Sequence, residues 1–286
     1  LHTAYRRQRQ MCIRDRNAFF LFVLHKGVAG VATATVISRI INLVIVVLLG
    51  AVLVKAKQHP ERESNRAVMG QIIRIGLPSA CETAIYNVSM TLVIRFLNQM
   101  DAQGLNVTAR SYTMQITNFS YCVGAALAQA NAIMTGWHIG AKEYDACDRG
   151  TKKAAVIGVI VAVILETVFT LCSGWIMQLF SKDPQMVSLV GKLLAIDIVL
   201  EIGRVTNLVY GQALKTSGDA VFPVVMGACF MILCSVGGTY LFGIRLGLLA
   251  VGAYIGMTGD ECVRAVGMYL RWKSGKWKEK GLVKSR

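Results

Sequence analysis

Asp197, Glu201 and Arg204 stand at i, i+4 and i+7 in an otherwise apolar stretch. At 100° per residue they share one helical face, which Asn207 and Gln212 extend. On a water-facing helix such a stripe is an ordinary solvated surface. In a segment that crosses a bilayer, each ionisable group costs about 2.5–3.5 kcal/mol at mid-depth and marks a partner or a pathway. Two readings fit. Glu201 and Arg204, at i and i+3, neutralise each other and knit the helix to its neighbours, or the stripe faces an aqueous cavity and takes part in ion or substrate binding.

Other segments carry related groups. Glu82 is followed by Tyr86 and Ser89 at i+4 and i+7, with Asn87 beside them. Glu82 lies close enough to the start of its segment either to reach the interface by snorkelling or to serve a site. Glu166 is isolated in the middle of an apolar run, either protonated and hydrogen-bonded or titrating with a coupling ion. Arg39 has no local partner and calls for a carboxylate or cavity water. Thr113, Thr117, Ser120, Gly124, Asn131 and Thr135 fall in a narrow arc, a pattern read as close helix packing ahead of cavity lining. Asp260, Glu261 and Arg264 lie towards the end of the final apolar segment and read as an interfacial cluster. The sequence contains no phosphate loop, HExxH, GxSxG or His/Cys metal spacing, so the expectation is no enzyme, no metal site and no cofactor.

These groups must be positioned by membrane helices. Mean hydropathy is +0.50 and 54% of residues are hydrophobic. The blocks 111–141 and 220–244 contain no Asp, Glu, Lys or Arg and are long enough to cross about 30 Å of hydrocarbon. Seven spans are predicted, at about 28–54, 76–98, 111–137, 154–180, 186–213, 220–242 and 246–270, with a short apolar remnant at 18–24. Pro78 is placed in the first turn of its helix, where its missing N–H is harmless. The fold class is therefore all-α integral membrane. The net charge of +15 does not indicate a nucleic-acid partner, because the basic residues lie between and after the apolar blocks. Cys81, Cys122, Cys172, Cys229 and Cys234 sit in apolar segments and read as small hydrophobes. Lysine and arginine concentrate in alternate connections and in the tail, which predicts a cytoplasmic linker at 55–75 and a basic cytoplasmic tail at 273–286. Residues 1–16, with Gln8 to Arg16 at their end, resemble a translated sequencing-adapter segment and are set aside as non-native, which makes the chain a fragment by expectation.

Several strings resemble one family of transporters. The run from Gly27 to Arg39 is similar to the sixth span of bacterial multidrug and toxic compound extrusion (MATE) proteins, and Ile75 to Glu82, with its proline, to the start of the seventh. Gly136-Trp-His-Ile-Gly140-Ala141 resembles the segment after the eighth span. Glu201 to Asn207, followed by Ala213 to Asp219, resembles the tenth span and its exit. The resemblance covers about residues 18–272. It implies a MATE-like helical bundle holding about seven of twelve transmembrane helices: the last helix of the N-terminal lobe at 17–54, the linker, and the C-terminal six-helix lobe at 76–272. It implies a monomeric antiporter of the bacterial inner membrane, exporting small, organic, cationic compounds in exchange for sodium ions or protons, with the missing N-terminal lobe as its partner. A lipid-linked precursor or metabolite exporter and a non-transporting membrane subunit are the alternatives. The ion-binding carboxylates that some members carry in the seventh and tenth spans align with Tyr86 and Arg204, so Glu82 and Glu201, one turn away, are the expected substitutes. The candidate site is Glu82, Tyr86, Asn87, Asp197, Glu201, Arg204 and Asn207, with Glu166 and Arg39 behind them.

Overall fold

The structure is a computed structural model that describes residues 27–55, 65–101 and 104–280. The adapter-like segment, the 18–24 remnant and most of the 55–64 stretch of the linker lie outside the described residues. The chain divides into two units, 1–68 and 69–286. The first contains α1 (Gly27–Lys55), whose sequence is apolar almost throughout. Val36, Ile40, Leu43, Val47 and Leu49 are exposed within it, as in a helix whose solvent is lipid.

Seven helices follow: α2 (Asn65–Met100), α3 (Leu105–Gly140), α4 (Tyr144–Leu171), α5 (Ser173–Gln178), α6 (Pro184–Thr216), α7 (Val221–Phe230) and α8 (Leu249–Lys273). α7 runs on as two π-helical stretches, Met231–Val236 and Thr239–Arg245, joined at Gly237 and Gly238. Two of the described helical runs, Tyr144–Leu171 and Val221–Arg245, are long and apolar enough to cross a membrane by composition alone. α3, α6 and α8 interrupt their apolar character with the polar groups described below.

Two expectations change. The helix of the second predicted span starts at Asn65, so the last third or more of the predicted linker is helical and Pro78 lies in the helix interior rather than its first turn. A proline there removes the hydrogen bond to the carbonyl four residues earlier, at Arg74. The fourth predicted span, 154–180, is displaced: α4 runs from Tyr144 to Leu171, and α5 is a separate single turn and a half.

α6 is the central helix, packed against α3, α4, α5, α7 and α8. Its ends are fixed by local chemistry. Asp183 accepts a hydrogen bond from the Gln185 amide at 3.0 Å, and Pro184 follows at the first helical position. At the far end Gly218 adopts φ 92°, and the Asp219 and Gly218 amides donate back to the Leu214 and Lys215 carbonyls at 2.9 and 3.2 Å. That is a Schellman ending, in which glycine supplies the left-handed residue. Asp219, delivered by that turn, pairs with Arg271 of α8 at 2.7 Å.

Two apolar clusters lie along α6. One joins Leu193, Leu194 and Leu200 to Val93, Leu97 and Tyr254. The other joins Val205, Val209 and Leu214 to Ala128, Ala155 and Trp272. The charged positions 201 and 204 fall between them. Close approach on the second side depends on glycine: a Cβ on Gly124 or on Gly158 would lie 2.8 Å from a methyl of Val205. Thr113, Thr117, Ser120, Asn131 and Thr135 are all buried, as the packing arc requires, and Asn131 donates to Thr151 of α4 at 3.3 Å.

α7 and α8 meet backbone to backbone. A Cβ on Gly256 would stand 2.9 Å from both the Cys234 carbonyl oxygen and the Gly238 carbonyl carbon. Backbone atoms cannot rotate aside, so Gly256→Val is expected to destabilise the lobe by about 1–3 kcal/mol through overpacking. Thermal unfolding of the detergent-solubilised protein measures this, and an unchanged midpoint would refute the contact.

Candidate functional site

A cavity of about 650 Å³ opens among α2, α3, α6, the α7 region and α8. α6 contributes Asp197, Arg204, Asn207, Gly211, Gln212 and Lys215, a face that repeats every three to four residues. α2 brings Glu82, Tyr86 and Met90, and α3 brings Arg110, Thr117 and Tyr121. Met231 and Ser235 reach the cavity from the first π-helical stretch. The wider turn of a π-helix re-aims side chains, and such turns recur at functional sites. α8 completes the wall with Tyr254, Met257, Asp260, Glu261 and Arg264.

The charges form a connected chain. Glu201 accepts from Arg204 Nη1 at 2.7 Å, and Arg204 Nε is 4.0 Å from Glu261 Oε1. Glu261 also pairs with Arg264 Nη2 at 2.8 Å and accepts from the Asn207 amide at 3.0 Å. Arg264 Nε reaches Asp260 Oδ1 at 2.8 Å, while Asp260 Oδ2 accepts from Ser235 Oγ at 2.9 Å. Across the cavity, Lys215 Nζ is 2.6 Å from Glu82 Oε2. Arg204 and Arg264 thus each serve two carboxylates, an arrangement that the planar fork of guanidinium donors favours. The wall also carries apolar and aromatic area from Met90, Met114, Met257, Tyr86, Tyr121 and Tyr254. An apolar cavity with a few converging charges fits an amphiphilic ligand.

Glu82, Tyr86, Asp197, Arg204 and Asn207, candidates from the sequence, line this one cavity. Glu201 is fully buried behind Arg204, so the stripe is at once an ion pair and a cavity wall. Asn87 is exposed and is not part of the wall, because it lies off the face that Glu82, Tyr86 and Met90 share. Glu166 is buried outside the wall, and Arg39 is on α1, in the first unit, whereas the whole cavity belongs to the second. The interfacial reading of Asp260, Glu261 and Arg264 is corrected. Asp260 and Arg264 are buried and all three line the cavity, since they continue the face of Tyr254 and Met257. Lys215 and Arg110 were not singled out. Lys215 stands eighteen residues after Asp197, five whole turns along the same face, and that spacing was a usable signal. Arg110 sits five residues into α3, beyond any pattern of its own.

The MatE family model matches residues 78–241. The chain is 34% identical over 259 residues to a Bacillus subtilis protein named uncharacterized transporter YisQ, covering 90% of this chain and 56% of that one. It is 22% identical to human multidrug and toxin extrusion protein 2, covering 84% and 40%. The chain spans about half the length of the curated relatives it matches. Among solved structures, the eukaryotic MATE transporter AtDTX14 superposes with a TM-score of 0.81 at 17% identity, covering 96% of this chain and 61% of that one. The MATE transporter ClbM in complex with Rb+ superposes with a TM-score of 0.72 at 17% identity, covering 95% and 61%. The fold is thus the all-α membrane fold of these proteins, and the chain belongs to the MatE family of integral membrane transporters.

Proposed function

We propose that this chain supplies the C-terminal lobe and the preceding helix of a secondary antiporter that exports small organic cations from a bacterial cell in exchange for protons or sodium ions. The observation that carries the reading is the cavity wall, where carboxylates, guanidinium groups and aromatic or thioether side chains face the same 650 Å³. Asp197 lines that space, and its buried Oδ2 has no hydrogen-bond partner, so the carboxylate has acceptor capacity for an incoming cation. Competition of a coupling ion and a cationic substrate for the same carboxylates is enough to link their opposite fluxes. Relatives named multidrug resistance protein and multidrug and toxin extrusion protein support the substrate class, and the Rb+ complex of a fold relative supports cation binding. The positive-inside distribution supports a cytoplasmic tail.

The test is ethidium efflux by the full-length protein in inverted vesicles under imposed proton or sodium gradients. Asp197→Asn is expected to lower gradient-driven efflux by about 5–150-fold, the usual span of coupling between two ligands, with insertion unchanged. Wild-type efflux in that variant would move the coupling chemistry elsewhere. One observation favours a second reading, an exporter of a lipid-linked precursor or metabolite with an acidic group. Arg110 is buried in the cavity wall, and among the described residues its recorded polar contact is a 3.7 Å approach to the Met90 sulfur, with Nε unpartnered. Competition of ethidium efflux by carboxylated compounds but not by simple cations would select this second reading.

A further inference from the structure

Behind the cavity wall, Glu166 adds a buried carboxylate to the charged face of α6. Glu166 of α4 is wholly buried, and neither carboxylate oxygen meets a donor in hydrogen-bond geometry. The Ser120 hydroxyl of α3 is its polar neighbour and is itself fully buried without a well-formed bond. Glu166 continues the buried face of α4 that includes Ala155, Gly158 and Ala162, and Gly158 meets Val205 of α6, so this face is turned to α6, whose Asp197, Glu201 and Arg204 act on Glu166 electrostatically. One oxygen of Asp197 and one of Glu201 are also buried and unpartnered. α5, the other element packed on α4, carries no titratable side chain. The guanidinium among these groups, Arg204, is already bonded to Glu201. Buried carboxylate oxygens without donors carry a large desolvation cost, which a bound cation offsets. Among the described residues no three acidic, His or Cys side chains converge closely enough to hold a metal ion. A proton needs only one oxygen and supplies the donor that the cluster lacks.

We propose that Glu166 is a proton-binding site of the transport cycle, holding a proton that passes between its carboxyl and the Glu201–Asp197 face of α6. When the Glu166 O–H bond breaks, an O–H bond forms on a free oxygen of α6, and the negative charge returns to Glu166. Sequence placed Glu166 alone, and the fold sets it against the cavity wall from behind.

This inference rests on the antiport reading, and the experiment separates the two. Full-length protein is reconstituted into liposomes and infrared difference spectra are recorded on acidification, alongside ethidium transport driven by a proton gradient. Glu166→Gln is expected to lose a protonated-carboxyl C=O band and to lower proton-driven uptake by about tenfold, within the range typical of two-ligand coupling. Ethidium exchange without a gradient should persist, and Glu166→Asp should restore part of the driven rate. Should Glu166→Gln fail to insert, Ser120→Ala is expected to shift that band and the pH midpoint of driven transport. An unchanged band, or full proton-driven uptake in Glu166→Gln, overturns the proposal, as does a wild type driven by sodium alone. A wild type that moves no ethidium but shows the Glu166-dependent band overturns the antiport reading for that dye and leaves the proton site standing.

Discussion

Arg204→Met is expected to destabilise the lobe by about 3–5 kcal/mol, the usual cost of orphaning a buried charge partner, and to abolish gradient-driven efflux. Arg204 is the cation of the Glu201 pair at 2.7 Å, and its Nε stands 4.0 Å from Glu261. It also lies over the Tyr121 ring, 6.0 Å from the centroid. Without it, Glu201 is a buried carboxylate whose other oxygen already has no partner. The double variant Arg204→Met, Glu201→Gln should recover much of the lost stability, because the second change removes the orphaned charge. Efflux should stay absent in the double variant, since the cavity face has lost its chemistry. Thermal unfolding in detergent and vesicle efflux check the two halves. A single variant as stable as wild type would mean that Arg204 is not the counter-charge of this cluster.

Trp277→Ala carries a comparable expected loss, about 3–5 kcal/mol for deleting a large buried aromatic side chain. Sequence made this region a basic tail, yet through Lys280 it forms a short 3-10 turn against the bundle. Trp277 is 1% exposed and stacks on Trp272 at 4.2 Å with an interplanar angle of 9°. Tyr144, at the start of α4, meets it edge-on at 5.9 Å. The Trp277 indole N–H donates to the Trp272 carbonyl at 3.0 Å, and the Trp272 indole N–H donates to Asp148 at 2.8 Å. Both polar handles are satisfied, which lets two indoles be buried together. The turn thereby ties the end of α8 to the start of α4. Cleavage by a protease at the tail should accelerate in Trp277→Ala, and an unchanged cleavage rate and unfolding midpoint would show that the stack contributes nothing.

The membrane class follows from the sequence, because uninterrupted apolar runs dictate where a chain can cross hydrocarbon. The stripe at Asp197, Glu201, Arg204 and Asn207 was legible for the same reason: period 3.6 fixes which residues of one helix share a face. What periodicity cannot give is which face of one helix meets which face of another. Only the packing of α8 on α6 put Glu261 between Arg204 and Arg264, and only the fold brought Lys215 to Glu82, 133 positions away. Glu166 shows the same division, for its cost was visible as a lone charge in an apolar run, whereas its company on α3 and α6 depends on glycines that let three helices close around Val205. Local sequence determines helices and their faces. Long-range packing decides which charges become neighbours, because Coulomb and hydrogen-bond energies depend on distances that no spacing along one chain segment encodes.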